Sequence, residues 1–318
     1  MLLYRAGANR SHQRPVKLTV VEPSIRRFHA SDRACGEHAR ELAVGDRAFR
    51  FEGLSADQAA ALERFWGPYF TPDSGLPVDR TIRVSDGGPG FWLAEPQAGE
   101  LYRIEPRVTP SGVIALSYAF ALGPGPDGSW RLALDTEAVE PDPQSLGNAT
   151  RVMAARMAVE RGGFAMHSAG VLRDGKAWLF TGPSGAGKST AVRLSAPAVS
   201  LGDDFGLVLP SPDGWVTPPL PFDNAHAITE RPEGSSFPVA GIWKLFKADE
   251  PRVERLTGLA AVTSLSTCSA LSWVMPDLAG AMLEQIGRFC EESHFGHLHF
   301  GLDADFWGPL SAAAGGLD

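Results

Sequence analysis

Residues Gly182-Pro183-Ser184-Gly185-Ala186-Gly187-Lys188-Ser189 spell GxxxxGK[ST], with Thr190 immediately after. The pattern has a physical task when a strand leads into it and a helix leads out. Here the apolar segment Ala177–Thr181 precedes it and Ala191–Leu194 continues as a short helix. Glycines let the backbone wrap a polyphosphate, so that successive N–H groups and a helix N-terminus face its charge. Lys188 is then placed to reach the β and γ phosphates, and the Ser189 hydroxyl to bind Mg2+. The plain alternative is a glycine-rich turn without a ligand.

Phosphoryl transfer also needs carboxylates. Asp203 and Asp204 close the next apolar segment, Val199–Leu201 and Gly202. On a strand beside the phosphate-loop strand they would sit at the open end of the sheet, where doubly wound folds bind ligands. One could hold Mg2+ while the other accepts the proton of an attacking hydroxyl. Adjacent side chains of an extended segment point in opposite directions, so the two would divide the work. As a purely structural pair they would cap the following turn. His167 interrupts the apolar run Phe164–Leu172. On pattern alone it reads either as a satisfied strand histidine or as a catalytic one.

These residues require a sheet and helices to hold them. The chain has 318 residues, 44% hydrophobic and 21% charged, which suits a folded protein of about two domains. Its 35 Gly and 25 Pro imply many turns rather than a helical bundle. With 29 basic and 37 acidic residues the net charge is −8, and no cluster of cations marks a nucleic-acid partner. Cys35, Cys268 and Cys290 are far apart and suggest neither a disulfide framework nor zinc, which fits a reducing compartment. The apolar start Met1–Tyr4 is too short for a signal-peptide core, and no run reaches the ~18 apolar residues that span a bilayer. A cytoplasmic, soluble protein without a membrane partner is the expectation.

Residues 1–15 show no apolar period and read as a flexible leader. Residues 16–143 read as a strand-rich α+β domain, with strands at Lys17–Glu22, Glu41–Phe51 around Gly45-Asp46, Thr81–Val84, Leu101–Glu105, Val113–Leu122 and Trp130–Leu134. Ser55 and Gln58 have capping-box spacing, and Ala59, Leu62, Phe65 and Trp66 supply a helical stripe. Gly123–Gly128 and Glu140–Gln144 read as loops, the second a boundary. Residues 146–318 read as the catalytic domain. It holds a helix over Leu146–Glu160, a hairpin at Asp174-Gly175, an apolar strand at Val239–Phe246, helices over Gly258–Ala270 and Leu278–Phe289, a strand at His297–Gly301 and a last helix capped near Asp303.

His167-Ser168-Ala169-Gly170-Val171, the hairpin, Gly182 to Thr190 and then Asp203-Asp204 together resemble the catalytic core of HPr kinase/phosphorylase and its relatives. That core is itself related to ATP-dependent phosphoenolpyruvate carboxykinase. The discriminating feature is the short interval from loop to aspartates. The match runs over Leu146–Leu209 and more weakly through Pro219-Leu220-Pro221-Phe222, which resembles a substrate-side loop, and Val239–Phe246. The N-terminal half resembles the β-rich leader of standalone relatives, some of which accompany peptide-modification gene clusters.

The resemblance implies an α/β phosphate-loop kinase domain of HPr-kinase/carboxykinase type behind the strand-rich region, using ATP and Mg2+. It implies Lys188 as phosphate neutraliser, Ser189 as Mg2+ ligand, Asp203 as general base, Asp204 as metal or base support, and His167 near the transferred group. Gly182 through Thr190 would line the nucleotide. Thr190 stands where the bifunctional enzymes carry glutamate, and their glycine-rich second signature is missing, which points to kinase-only chemistry. The expected reaction is γ-phosphoryl transfer to a hydroxyl, a serine of a protein or peptide, with a homo-oligomer possible. The rivals are a small-molecule kinase or carboxykinase-like phosphotransferase, and an ATP-binding scaffold without catalysis.

Other features read more plainly. His294, His297 and His299 are close together, and His297 and His299 share one strand face, yet a solvent-facing edge is preferred to a metal site. Lys244, Lys247, Arg252 and Arg255 read as a solvated face. Trp178 and Trp243 read as core.

Overall fold

Turn chemistry decides the architecture. Asp174-Gly175 and Pro212-Asp213 close tight antiparallel connections, with Asp174, Gly175 and Gly214, the first residue after the second link, all at positive φ. Such two-residue links leave no room for the crossover helix that parallel neighbours need. A computed structural model of the chain describes residues 22–94, 103–125, 129–135, 142–222, 231–301 and 305–315. The expected leader at 1–15, and nearly all of the expected strand at Lys17–Glu22, lie outside the described residues.

In the first half come α1 (Pro23–Ala30), β1 (His38–Val44), β2 (Arg47–Leu54), α2 (Ala56–Trp66), β3 (Phe70–Thr71), β4 (Val78–Asp86), β5 (Glu105–Thr109), β6 (Gly112–Leu116), β7 (Phe120–Pro124) and β8 (Trp130–Leu134). They build an eight-stranded sheet in the order β3-β1-β2-β4-β8-β7-β6-β5. The β2–β4 and β4–β8 pairs are parallel and the rest antiparallel. The Ser55/Gln58 capping box starts α2, which buries Ala59, Leu62 and Trp66 and leaves Phe65 on the exposed side. Arg27 of α1 donates to the carbonyls of Gly87 and Gly88 and covers the Trp92 ring at 4.0 Å, fastening α1 to the strand ends.

The second half runs α3 (Asp142–Glu160), β9 (Phe164–Met166), β10 (Ser168–Arg173), β11 (Lys176–Thr181), α4 (Lys188–Leu194), β12 (Val199–Gly202), β13 (Gly206–Ser211), β14 (Gly214–Thr217), β15 (Phe237–Lys247), β16 (Arg252–Arg255), α5 (Gly258–Ser266), α6 (Ala279–Glu292), β17 (Phe295–Phe300) and α7 (Trp307–Ala314). Its nine-stranded sheet has the order β12-β10-β11-β15-β14-β13-β9, with β17 beside β15 and β16 on β17. Only β11–β15 and β15–β17 are parallel. β9 and β10 are separated by His167 alone but lie near opposite ends of that order, so the sheet curls back on itself.

The expected α/β kinase-type domain is therefore corrected. The chain is strand-rich, with two large mixed sheets. The hairpins β10–β11 and β13–β14 replace the βαβ repeat on which a doubly wound sheet is built. The expected continuous strand Phe164–Leu172 is two strands, and β13 and β14 arise where no strand was expected.

The two sheets share a core. Ala154, Ala155, Met157 and Ala158 of α3 are wholly buried, because this helix is apolar on most of its circumference. It packs against β7 of the first sheet and β9 and β13 of the second. Trp66 meets Phe222 edge-on at 6.4 Å, a contact joining the two halves of the chain. The other face of the second sheet buries Trp178, Phe180, Trp243, Leu245, Leu298 and Phe300 under α4 and α7. Trp178 and Trp243 are thus core residues.

Candidate functional site

The glycine-rich loop joins the C-terminal end of β11 to α4. Gly182, Gly185 and Gly187 have φ of 148°, 79° and 105°, a region that L side chains avoid. At Gly187 a Cβ would also come within 3.0 Å of the Phe300 ring. Pro183, Ser184, Gly185 and Ser189 are exposed, Ala186 and Lys188 buried, and Thr190 half-buried. Lys188 folds back over the loop, its Nζ donating to the carbonyls of Gly182 at 3.0 Å and Pro183 at 3.4 Å. Burial lowers its pKa, and the nearby carboxylates of Asp204 and Asp203 oppose that shift.

Asp203 and Asp204 do not lie on the strand next to β11. β12 pairs with β10, and β10 with β11, both antiparallel. Two reversals return β12 to the direction of β11, so its C-terminal end still reaches the rim that carries the loop. The Ser189 hydroxyl donates to Asp203 Oδ2 at 2.7 Å. Asp204 turns the other way, with Oδ1 3.0 Å from His167 Nδ1. The same nitrogen is 2.9 Å from the Asp204 carbonyl oxygen. Asp204 has φ of 77°, a strained value that Asp tolerates better than most residues and that concentrates at functional sites.

Several residues hold this geometry. Asp203 N–H donates to Phe222 O at 3.0 Å, and Leu220 N–H to Leu201 O at 3.0 Å, so Pro219–Phe222 lies along the end of β12 as a buried brace. His167 N–H donates to Cys268 O at 2.9 Å, and its carbonyl accepts from Thr181 Oγ1 at 2.7 Å. His167 thus sits at the seam of the curled sheet, tied to β11 and to the segment after α5. Thr181 and Cys268 had no signal in the sequence, since their part is played by a β11 hydroxyl and a backbone carbonyl.

Lys188, Ser189, Asp203, Asp204 and His167 all meet at one rim. As a test of fit to Mg2+, neighbouring oxygens around an octahedral ion at 2.0–2.1 Å are about 2.9 Å apart. The Ser189–Asp203 separation of 2.7 Å is close to that, and both atoms are hard oxygen donors.

Residues 145–285 match the family model of the SynChlorMet cassette protein ScmC, to which this part of the chain is similar. No curated protein matches the chain. Among the described residues, no helix is long and apolar enough to cross a membrane.

Proposed function

We propose that this chain binds Mg·ATP at the Gly182–Thr190 loop and transfers the γ-phosphoryl group to a hydroxyl, a serine of a protein or peptide. The observation that carries the reading is the meeting of Lys188, the Ser189–Asp203 pair and the Asp204–His167 pair at one rim. The loop amides, with three glycines at positive φ, would contact phosphate oxygens, and Lys188 would leave the Gly182 and Pro183 carbonyls to reach them. Ser189 and Asp203 would hold Mg2+, which supplies charge that offsets the phosphates.

The contact of Asp203 with Ser189 supports the reverse of the division that the family resemblance implies. Asp203 takes the metal side and Asp204 the base side. His167 Nδ1 holds Asp204 Oδ1 in place, and Asp204 accepts the proton of the acceptor hydroxyl. The acceptor oxygen then bonds to the γ phosphorus as the bond to the β–γ bridging oxygen breaks and ADP leaves. Calorimetric titration with Mg·ATP tests the binding half of this reading. Lys188→Ala is expected to weaken binding at least 10-fold. Equal affinity in the two proteins would contradict it.

A further inference from the structure

A second cluster lies two strands from the phosphate-loop strand on the same sheet, where Lys244 of β15 stands in register between Thr181 and His297. His297 and His299 share one face of β17, opposite the buried Leu298 and Phe300. The register of β16 sets Glu254 directly across from His297. One ligand atom from each of Glu254, His297 and His299 lies within 4.8 Å of the others. His297 Nδ1 is 3.8 Å from Glu254 Oε2, and its Nε2 is 3.2 Å from Ser264 Oγ of α5. Phe246 of β15 fixes both rings, 4.7 Å from His297 and 5.2 Å from His299, stacked on the latter at 20°. His299 Nε2 is buried without a hydrogen-bond partner among the described residues.

We propose that Glu254, His297 and His299 form a binding site for a divalent transition-metal ion of the Zn2+ class, separate from the phosphate loop. Two imidazoles and a carboxylate are a common three-ligand set for such ions and leave a position open for water. Mg2+ and Ca2+ prefer all-oxygen sets, so two nitrogens of three argue against them. Ligands at 2.0–2.2 Å in a tetrahedral site are about 3.4 Å apart. Glu254 Oε2 and His297 Nδ1 are 3.8 Å apart, near that spacing, and the exposed Glu254 side chain has room to adjust.

Ser264 acts as the outer partner. A neutral His297 that donates its Nε2 proton to Ser264 Oγ turns the Nδ1 lone pair toward Glu254. The spacing of the histidines alone pointed to a solvent-facing edge, because the third ligand comes from another strand.

The test uses the full-length chain without an affinity tag, stripped of metal by a chelator. Zn2+ is titrated in competition with a chromophoric chelator, and Co2+ is added separately to read its visible d–d bands. One equivalent of Zn2+ is expected, weakened at least 100-fold by His299→Gln and by the exposed Glu254→Gln, and about 10-fold by Ser264→Ala. Circular dichroism verifies that each variant is folded. Asp203→Asn should keep the equivalent, which separates this site from the phosphate loop. The proposal is overturned if no equivalent binds, or if folded Glu254→Gln and His299→Gln bind Zn2+ as the parent does.

Discussion

The Ser189 hydroxyl donates to Asp203 Oδ2 at 2.7 Å, joining the first turn of α4 to the end of β12. If this pair holds one ion, the two residues are not independent. Ser189→Ala and Asp203→Asn should each raise the Mg2+ concentration needed for half-maximal nucleotide binding by about 10-fold, or about 1.4 kcal/mol. The double variant should be little worse than either single one. Additive losses in a Mg2+ titration would show that the two residues act separately.

Asp204 and His167 form the neighbouring pair, and their variants should fail differently. Asn tolerates the left-handed backbone of position 204 about as well as Asp, so Asp204→Asn tests the charge rather than the fold. Phosphoryl transfer should fall at least 100-fold while Mg·ATP affinity stays within about 3-fold. His167→Gln should show a smaller loss in the same rate. Parallel loss of binding and rate would mean that Asp204 is a ligand-holding residue.

The loop glycines differ in what surrounds them. A Cβ at Gly187 combines a φ of 105° with the Phe300 ring at 3.0 Å, whereas a Cβ at Gly185 meets open space at a φ of 79°. Gly187→Ala should therefore lower stability by about 1–3 kcal/mol and Gly185→Ala by about 1 kcal/mol. Denaturant melts of the two variants give the comparison, and the reverse order would contradict the loop geometry.

Far from the rim, Glu41 is buried on β1 and accepts from the Ser74 hydroxyl at 2.6 Å, the Ser74 N–H at 2.9 Å and Arg50 at 3.1 Å. The Ser74 hydroxyl bond is the main cause that holds its pKa below the ordinary carboxylate value, and burial works against it. A depressed folded-state pKa contributes stability above the unfolded value of about 4.3, lost as pH falls through the folded value. Glu41→Gln should cost about 1–3 kcal/mol at pH 7, and the difference from the parent should shrink as pH drops below about 4. A gap independent of pH would assign the loss to packing rather than charge.

The placement of the glycine-rich loop between a strand and a helix was legible because contiguous residues encode it, whereas the aspartates, expected after the strand beside β11, follow β12, which pairs with β10 instead. The capping box of α2 was legible for the same reason, since its bonds span three residues. The sheet order was not. That β12 pairs with β10, or that the chain crosses at His167 from one end of the strand order toward the other, follows from long-range pairing that local pattern does not encode. Glu254 shows the same limit at residue scale, because only the β16–β17 register brings it to His297. The braces on the aspartates come from backbone carbonyls such as Phe222 O, which any residue type could supply.

The most direct measurement incubates the full-length chain with Mg2+, γ-labelled ATP and a fractionated extract of its native host, followed by phosphoamino-acid analysis of any labelled protein or peptide. The parent should transfer label to serine in a discrete acceptor, and Asp204→Asn should not while still binding Mg·ATP. No labelled acceptor with the parent, or equal labelling by the variant, would contradict the phosphotransferase reading.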